Sequence, residues 1–149
     1  MSQNDHDIKV INGLIAATID SEEGYREAAK EAENPMFRDL FQDWSAERRQ
    51  VAIGLQQVVA SLGGDPEDDG TALASVHRVF VDLRASMSKG DKAVVAEVER
   101  GEDHIKAKFE EALSDEKLAP LCREAVQAAF VSVRQGHDEM RDLKRGMEQ

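Results

Sequence analysis

Four long stretches of this chain carry apolar residues at alternating steps of three and four, and each stripe is interrupted near its middle by a residue able to bind a metal. The first stripe is Ile8, Ile11, Ile15, Thr18, Glu22, Tyr25, Ala29 and Ala32. The second is Phe37, Leu40, Trp44, Glu47, Val51, Leu55, Val58 and Leu62. The third is Val95, Val98, Glu102, Ile105, Phe109 and Ala112, with Glu99 flanking it one turn before Glu102. The fourth is Cys122, Ala125, Val126, Ala129, Val133, His137, Met140 and Lys144. Steps of three and four put side chains on one face of an α-helix. The spacing therefore predicts four amphipathic helices, each with a face to bury, and a bundle buries all four at once.

Punctuation residues set the expected boundaries. Asp5 or Asp7 can cap a first helix that runs to about Ala32, and Asn34-Pro35 stops it and opens the second. So short a connection makes these two helices antiparallel neighbours. The second helix runs from Pro35 to about Leu62 and ends at Gly63-Gly64-Asp65-Pro66, with Gly63 as a left-handed C-cap. A polar loop, Glu67-Asp68-Asp69-Gly70, follows. From Thr71 to about Met87 the stripe Leu73, Val76, Phe80, Leu83 and Met87 predicts a shorter crossover helix, with His77 beside its apolar face. Seventeen helical residues span about 25 Å, enough to carry the chain most of the way back along a bundle. The third bundle helix is expected from Asp91 to about Leu113, and the fourth from Lys117–Pro120 to about Gly146. No internal repeat or low-complexity segment interrupts this order.

At 149 residues the chain reads as one domain, 1–149, long enough for a real core. Three prolines and an abundance of Ala, Glu, Leu and Lys favour an all-α fold. A net charge of −11 disfavours nucleic acid and anionic membranes as partners. The single cysteine, Cys122, excludes an intrachain disulfide framework and fits a reducing compartment. The polar start MSQNDHDIKV lacks signal-peptide character, and no apolar run approaches a membrane span of roughly 18–20 residues. The expected setting is the cytoplasm. Phosphate loops, nucleophile elbows, zinc-type cysteine spacings and basic stripes are all missing from the sequence.

Counting from the turns places the odd residues at similar heights. Glu22 lies 12 residues before Asn34 and Glu47 lies 13 after it. Glu99, Glu102, Arg134 and His137 fall within about two turns of one another around the last connection. Carboxylates gathered inside a bundle are costly unless coordinated or paired. Two arrangements relieve the cost: a metal pair held by Glu and His, or carboxylates paired with arginine and water.

These residues resemble the ligand set of the ferritin-like superfamily, and of its rubrerythrin-like branch in particular. Glu22 is similar to the single first-helix Glu, Glu47 to the Glu of a second-helix Glu-x-x-His, Glu99-Arg100-Gly101-Glu102 to a third-helix Glu-x-x-Glu, and His137 to the His of a fourth-helix Glu-x-x-His. More closely, Glu22-Glu23-Gly24-Tyr25-Arg26-Glu27-Ala28-Ala29, Leu62-Gly63-Gly64-Asp65-Pro66-Glu67-Asp68, His77-Arg78 and Glu99-Arg100-Gly101-Glu102-Asp103 resemble an uncharacterised family of small bacterial four-helix-bundle proteins, known only as a domain of unknown function. The resemblance implies a ferritin-like four-helix bundle with a crossover helix between bundle helices two and three. It implies metal ligands at Glu22, Glu47, Glu99, Glu102 and His137, and iron or manganese as the metal. Two positions depart from the pattern. Gln50 stands where a His is wanted, and Arg134 stands where a Glu is wanted, opposite Glu99 by level counting, where it could replace a lost cation.

Two functions stand ahead of a third, a helical adaptor with an exposed apolar groove, for which the sequence gives little sign. One is a degenerate, non-catalytic bundle, structural or stress-related, acting through self-association or a protein partner. The other is an iron- or manganese-binding redox protein that reacts with peroxide or oxygen. Gln50 and Arg134 favour the first. Tyr25 and Trp44 are expected as core aromatics beside the carboxylates, Cys122 as an inert buried thiol, and His6 and His104 as exposed.

Overall fold

The computed structural model describes residues 2–70 and 90–148. Among them the chain forms four helices and no strand: α1 (Gln3–Glu31), α2 (Pro35–Ser61), α3 (Gly90–Leu113) and α4 (Pro120–Glu148). The crossover helix expected over 71–87, with His77, lies outside the described residues.

Local signals explain most of the helix ends. Asn34 caps α2, its side chain accepting a hydrogen bond from the Met36 N–H at 2.9 Å, and Pro35 occupies the first helical position. At the other end of α2, the Gly64 N–H bonds the Val59 carbonyl and the Gly63 N–H bonds the Ala60 carbonyl. This double bond pattern needs a left-handed residue between the two amides, and Gly63 supplies it with φ +82°. The start of α1 differs from expectation. Ser2 is the cap, its hydroxyl accepting from the Asp5 N–H while the Asp5 carboxylate accepts from the Ser2 N–H. Asp7 instead turns inward and is buried, accepting from Gln3 Nε2 and from the Ala119 N–H just ahead of α4. It thereby caps a neighbouring helix.

Cross-helix contacts give the directions. Asn4 bonds the Leu62 carbonyl and Ser45 bonds the Glu22 carbonyl, so α1 and α2 are antiparallel. The Asp91 carboxylate takes the Glu33 and Asn34 amides at one end of α1, and Gln3 reaches the Lys117 carbonyl at the other, so α1 and α3 are antiparallel too. The pairs Asp103–His137 and Glu99–Lys144 run α4 back along α3. It follows that α2 and α3 point the same way, with the end of α2 and the start of α3 at opposite ends of the helix pair.

Among the described residues, two apolar clusters fill the interior. One gathers Ile11, Ile15, Leu55, Val59, Ile105, Phe109, Val126 and Val133, and includes the single thiol, Cys122. Burial raises that thiol above its ordinary pKa, and Asp7 beside it adds to the effect; both disfavour the reactive thiolate. The other cluster gathers Tyr25, Phe41, Val95, Val98 and Met140. The stripes expected in α1, α3 and α4 are the buried ones, from Ile11 to Ala32, from Val95 to Ala112 and from Cys122 to Met140, although Ala125 and Ala129 are only half-buried. The α2 stripe is rotated. Its buried residues are Phe41, Arg48, Ala52, Leu55 and Val59, while Trp44, Val51 and Val58 are half-buried beside them.

Glycine inside a helix raises the entropic cost of folding, and Gly101 in α3 is exposed with open space around its Cα. Gly101→Ala should raise the unfolding free energy by about 0.5–1 kcal/mol, read from the midpoint of a urea titration.

Candidate functional site

The polar centre of the protein is an ion pair between α2 and α3. Arg48 Nη2 donates to Glu102 Oε2 at 2.6 Å, and the two side chains are 0% and 1% exposed. Arg48 reaches this position because the rotation of α2 turns it toward α3. Its guanidinium lies over two aromatic rings, 5.8 Å from the Tyr25 centroid and 5.3 Å from that of Trp44. Those rings stack on each other with centroids 6.4 Å apart. Cation–π attraction lends a desolvated cation part of what it has lost from water. The fourth wall is Gly136 of α4. A methyl group there would overlap Arg48 Nη2, lie 2.8 Å from Glu102 Oε2 and lie 3.2 Å from the Trp44 ring.

The electrostatics of this centre are set by burial. Desolvation pushes the Glu102 carboxyl above the ordinary carboxylate range, while Arg48, the Tyr25 hydroxyl and His137 pull it back without cancelling the shift. Burial, followed by the Glu102 charge, raises the Tyr25 hydroxyl well above its usual value, so it remains an O–H. Tyr25 Oη faces Glu102 but falls short of a hydrogen bond.

The other expected ligands join separate groups. Glu22 is buried at the α1–α2 seam, where its Oε2 pairs with Arg26 and Arg49 at 3.1 Å each. Its level opposite α2 is the one counted from Asn34, but its counter-ions are arginines. Glu47 is exposed, accepts from Ser132 Oγ at 2.7 Å, and does not face Glu22. The reason is rotational: one residue turns a helix by 100°, so placing Arg48 inward swings Glu47 toward α4 and solvent. Gln50, two residues on, is exposed as well.

Along the α3–α4 seam, His137 is buried, with Nε2 2.7 Å from Asp103 Oδ1 and Nδ1 3.2 Å from Asp138 Oδ1. The His137 contact holds the Asp138 carboxyl below its ordinary range. Glu99 faces Lys144 at 3.6 Å. The expected Arg134–Glu99 bridge does not form, because Arg134 is exposed, one residue past buried Val133 and therefore 100° off the inward face. An arginine does meet a core carboxylate, but it is Arg48, which the apolar pattern of α2 did not select. His104 is exposed as expected, whereas His6 is half-buried and bonds Asp115 at 2.8 Å.

The five expected metal ligands thus do not converge. Among the described residues, the one group of three or more His, Cys, Asp or Glu whose ligand atoms approach within 4.8 Å of one another is Glu67, Asp68 and Asp69. In that surface turn Glu67 Oε1 already accepts the Asp68 and Asp69 amides at 3.1 Å. At the core, a metal bound by Glu102 would stand beside a guanidinium that bears a permanent charge and makes no coordinate bond. Among the described residues, those at the core do not fit a metal pair. Their chemistry is charge balance inside a closed apolar shell.

One protein family matches the chain, over residues 6–115, and it is described as a domain of unknown function (DUF2383). The matched segment contains Arg48 and Glu102, and it stops before α4 with Gly136 and His137. No curated protein matches the chain. No helix among the described residues is long and apolar enough to cross a membrane.

Proposed function

We propose, starting from the fact that this chain belongs to the family described as a domain of unknown function (DUF2383), that it serves a structural rather than a catalytic role. In this reading it is a ferritin-like helical bundle whose carboxylate layer has been taken over by an internal cation. The observation that carries the reading is the Arg48–Glu102 contact at 2.6 Å, buried on all sides. Kinship with ferritin-like bundles is supported by the parallel course of α2 and α3 and by the shared level of Glu22, Arg48, Glu102 and His137. The redox alternative needs open ligand positions around a metal, and Arg48, exposed Glu47 and the separate partners of Glu22, Glu99 and His137 weigh against such positions at the core. Action then falls to the outer surface, through self-association or a protein partner. The outward residues Leu121 and Val131 of α4, 79% and 58% exposed, support that direction.

Metal analysis tests the proposal. Protein purified from iron- and manganese-supplemented cells should hold far less than one metal per chain, and Glu47→Ala should leave that content unchanged. Stoichiometric iron or manganese that disappears in Glu47→Ala would establish the redox reading instead. Glu47 is exposed, so loss of metal could not be blamed on loss of the fold.

A further inference from the structure

We infer that the polar centre binds one internal water molecule, held between Tyr25 and Arg48. Three buried atoms there have no protein partner: Tyr25 Oη, Arg48 Nε and Arg48 Nη1. Arg48 uses Nη2 alone on Glu102, a one-point contact where a guanidinium can offer two parallel donors. Native proteins leave few buried donors without an acceptor, and the penalty grows when the donor is charged. The Tyr25 and Trp44 rings share the cation's field, but a ring face is a weak acceptor.

The surroundings define the ligand. It must accept from a guanidinium N–H and exchange a hydrogen bond with a hydroxyl that stays protonated, because burial and Glu102 raise the Tyr25 pKa. It must be neutral, because Glu102 already balances Arg48, and a second anion would face Glu102 as well as Glu139, whose charge also reaches Tyr25. It must be small, because Arg48 is fully buried and Tyr25 is 2% exposed. Water meets all three conditions, and the Arg48 guanidinium lies 5.8 Å from the centroid of the Tyr25 ring, so the orphaned donors and the hydroxyl belong to one neighbourhood. The inference rests on these orphaned atoms and not on the structural role, so either can fail without the other.

A crystal structure that resolves ordered solvent, paired with Tyr25→Phe, tests it. The wild-type protein should show a solvent peak within hydrogen-bonding distance of Tyr25 Oη and of Arg48 Nε or Nη1. Tyr25→Phe should lose that peak and unfold at a lower urea midpoint. Two results overturn the inference. One is a dry centre, whether Arg48 keeps its one-point contact or turns to grip Glu102 with two donors. The other is a Tyr25→Phe midpoint equal to or above the wild type's, as expected for deleting a hydroxyl that bonds nothing.

Discussion

Arg48→Met should cost about 3–5 kcal/mol of unfolding free energy near neutral pH, the range for removing one partner of a buried pair. The cost comes from what is left behind. Glu102 is 1% exposed, and Arg48 is the one cation in direct contact with it among the described residues. Methionine fills much of the arginine's volume, so the loss reports charge more than packing. The double variant Arg48→Met, Glu102→Leu should recover most of the stability, because a buried ion pair replaced by apolar side chains of similar size is often neutral or better. Urea titrations of the wild type, both single variants and the double variant close the thermodynamic cycle. A double variant no more stable than Arg48→Met would show that the pair does more than balance charge.

The pH dependence has a definite sign. Burial raises the folded pKa of Glu102 above its ordinary 4.5. The folded protein therefore keeps this proton where the unfolded chain has released it. The stability linked to Glu102 is fully present below the unfolded value and is lost as pH rises through the folded one. Asp138 behaves oppositely. Its contact with His137 lowers its folded pKa below 3.8, so its contribution is present above that value and is lost as pH falls through the folded pKa. Glu102→Gln keeps an acceptor for Arg48 while removing the titration, and should flatten the decline in stability above about pH 4.5. In Arg48→Met the largest downward influence on Glu102 is gone, its pKa climbs further, and the destabilisation should shrink on mild acidification.

Periodicity carried the fold a long way. The stripes through Ile11, Ile15, Thr18, Glu22 and Tyr25, and through Val95, Val98, Glu102, Ile105 and Phe109, are buried as their spacing requires. Asn34-Pro35 and Gly63 mark helix ends because their local chemistry allows little else. The rotation of α2 was hidden by the same rule that exposed the others. Two stripes run along this helix at helical spacing, one through Trp44, Glu47, Val51 and Val58 and one through Phe41, Arg48, Ala52 and Val59, and they share Leu55. Apolar counting prefers the first, since the second asks for an arginine in the core. What reverses the choice is a partner 54 residues away, which no local pattern contains. Helix levels survived this error, since height depends on residue count alone, while the identity of the inward residue depends on angle. So Glu22 meets α2 at the expected height but finds Arg49, and Glu47 faces away.

The clue that did exist is Gly136. Glycine in mid-helix costs about 1 kcal/mol relative to alanine, and beside a core histidine such a cost asks for a reason. The structure supplies one: any side chain at this position would enter the space of the Arg48–Glu102 pair. Gly136→Ala sets two effects against each other. Helix propensity gains about 1 kcal/mol, and overpacking a tight interior loses about 1–3 kcal/mol. Here the loss should win. The arginine tip is the far end of a long side chain, but it is pinned by Glu102, lies over two rings and is fully buried, so it cannot step aside cheaply. Gly136→Leu should be worse, approaching the cost of Arg48→Met, because the larger side chain must displace the ion pair outright. The decisive measurement is Gly136→Ala in two backgrounds. In the wild type it should lower the urea midpoint, opposite in sign to Gly101→Ala on the neighbouring helix. In the Arg48→Met, Glu102→Leu background the polar obstruction is gone, and the penalty should shrink toward the propensity gain. An alanine equally costly in both backgrounds would mean that α4, and not the ion pair, sets the need for glycine.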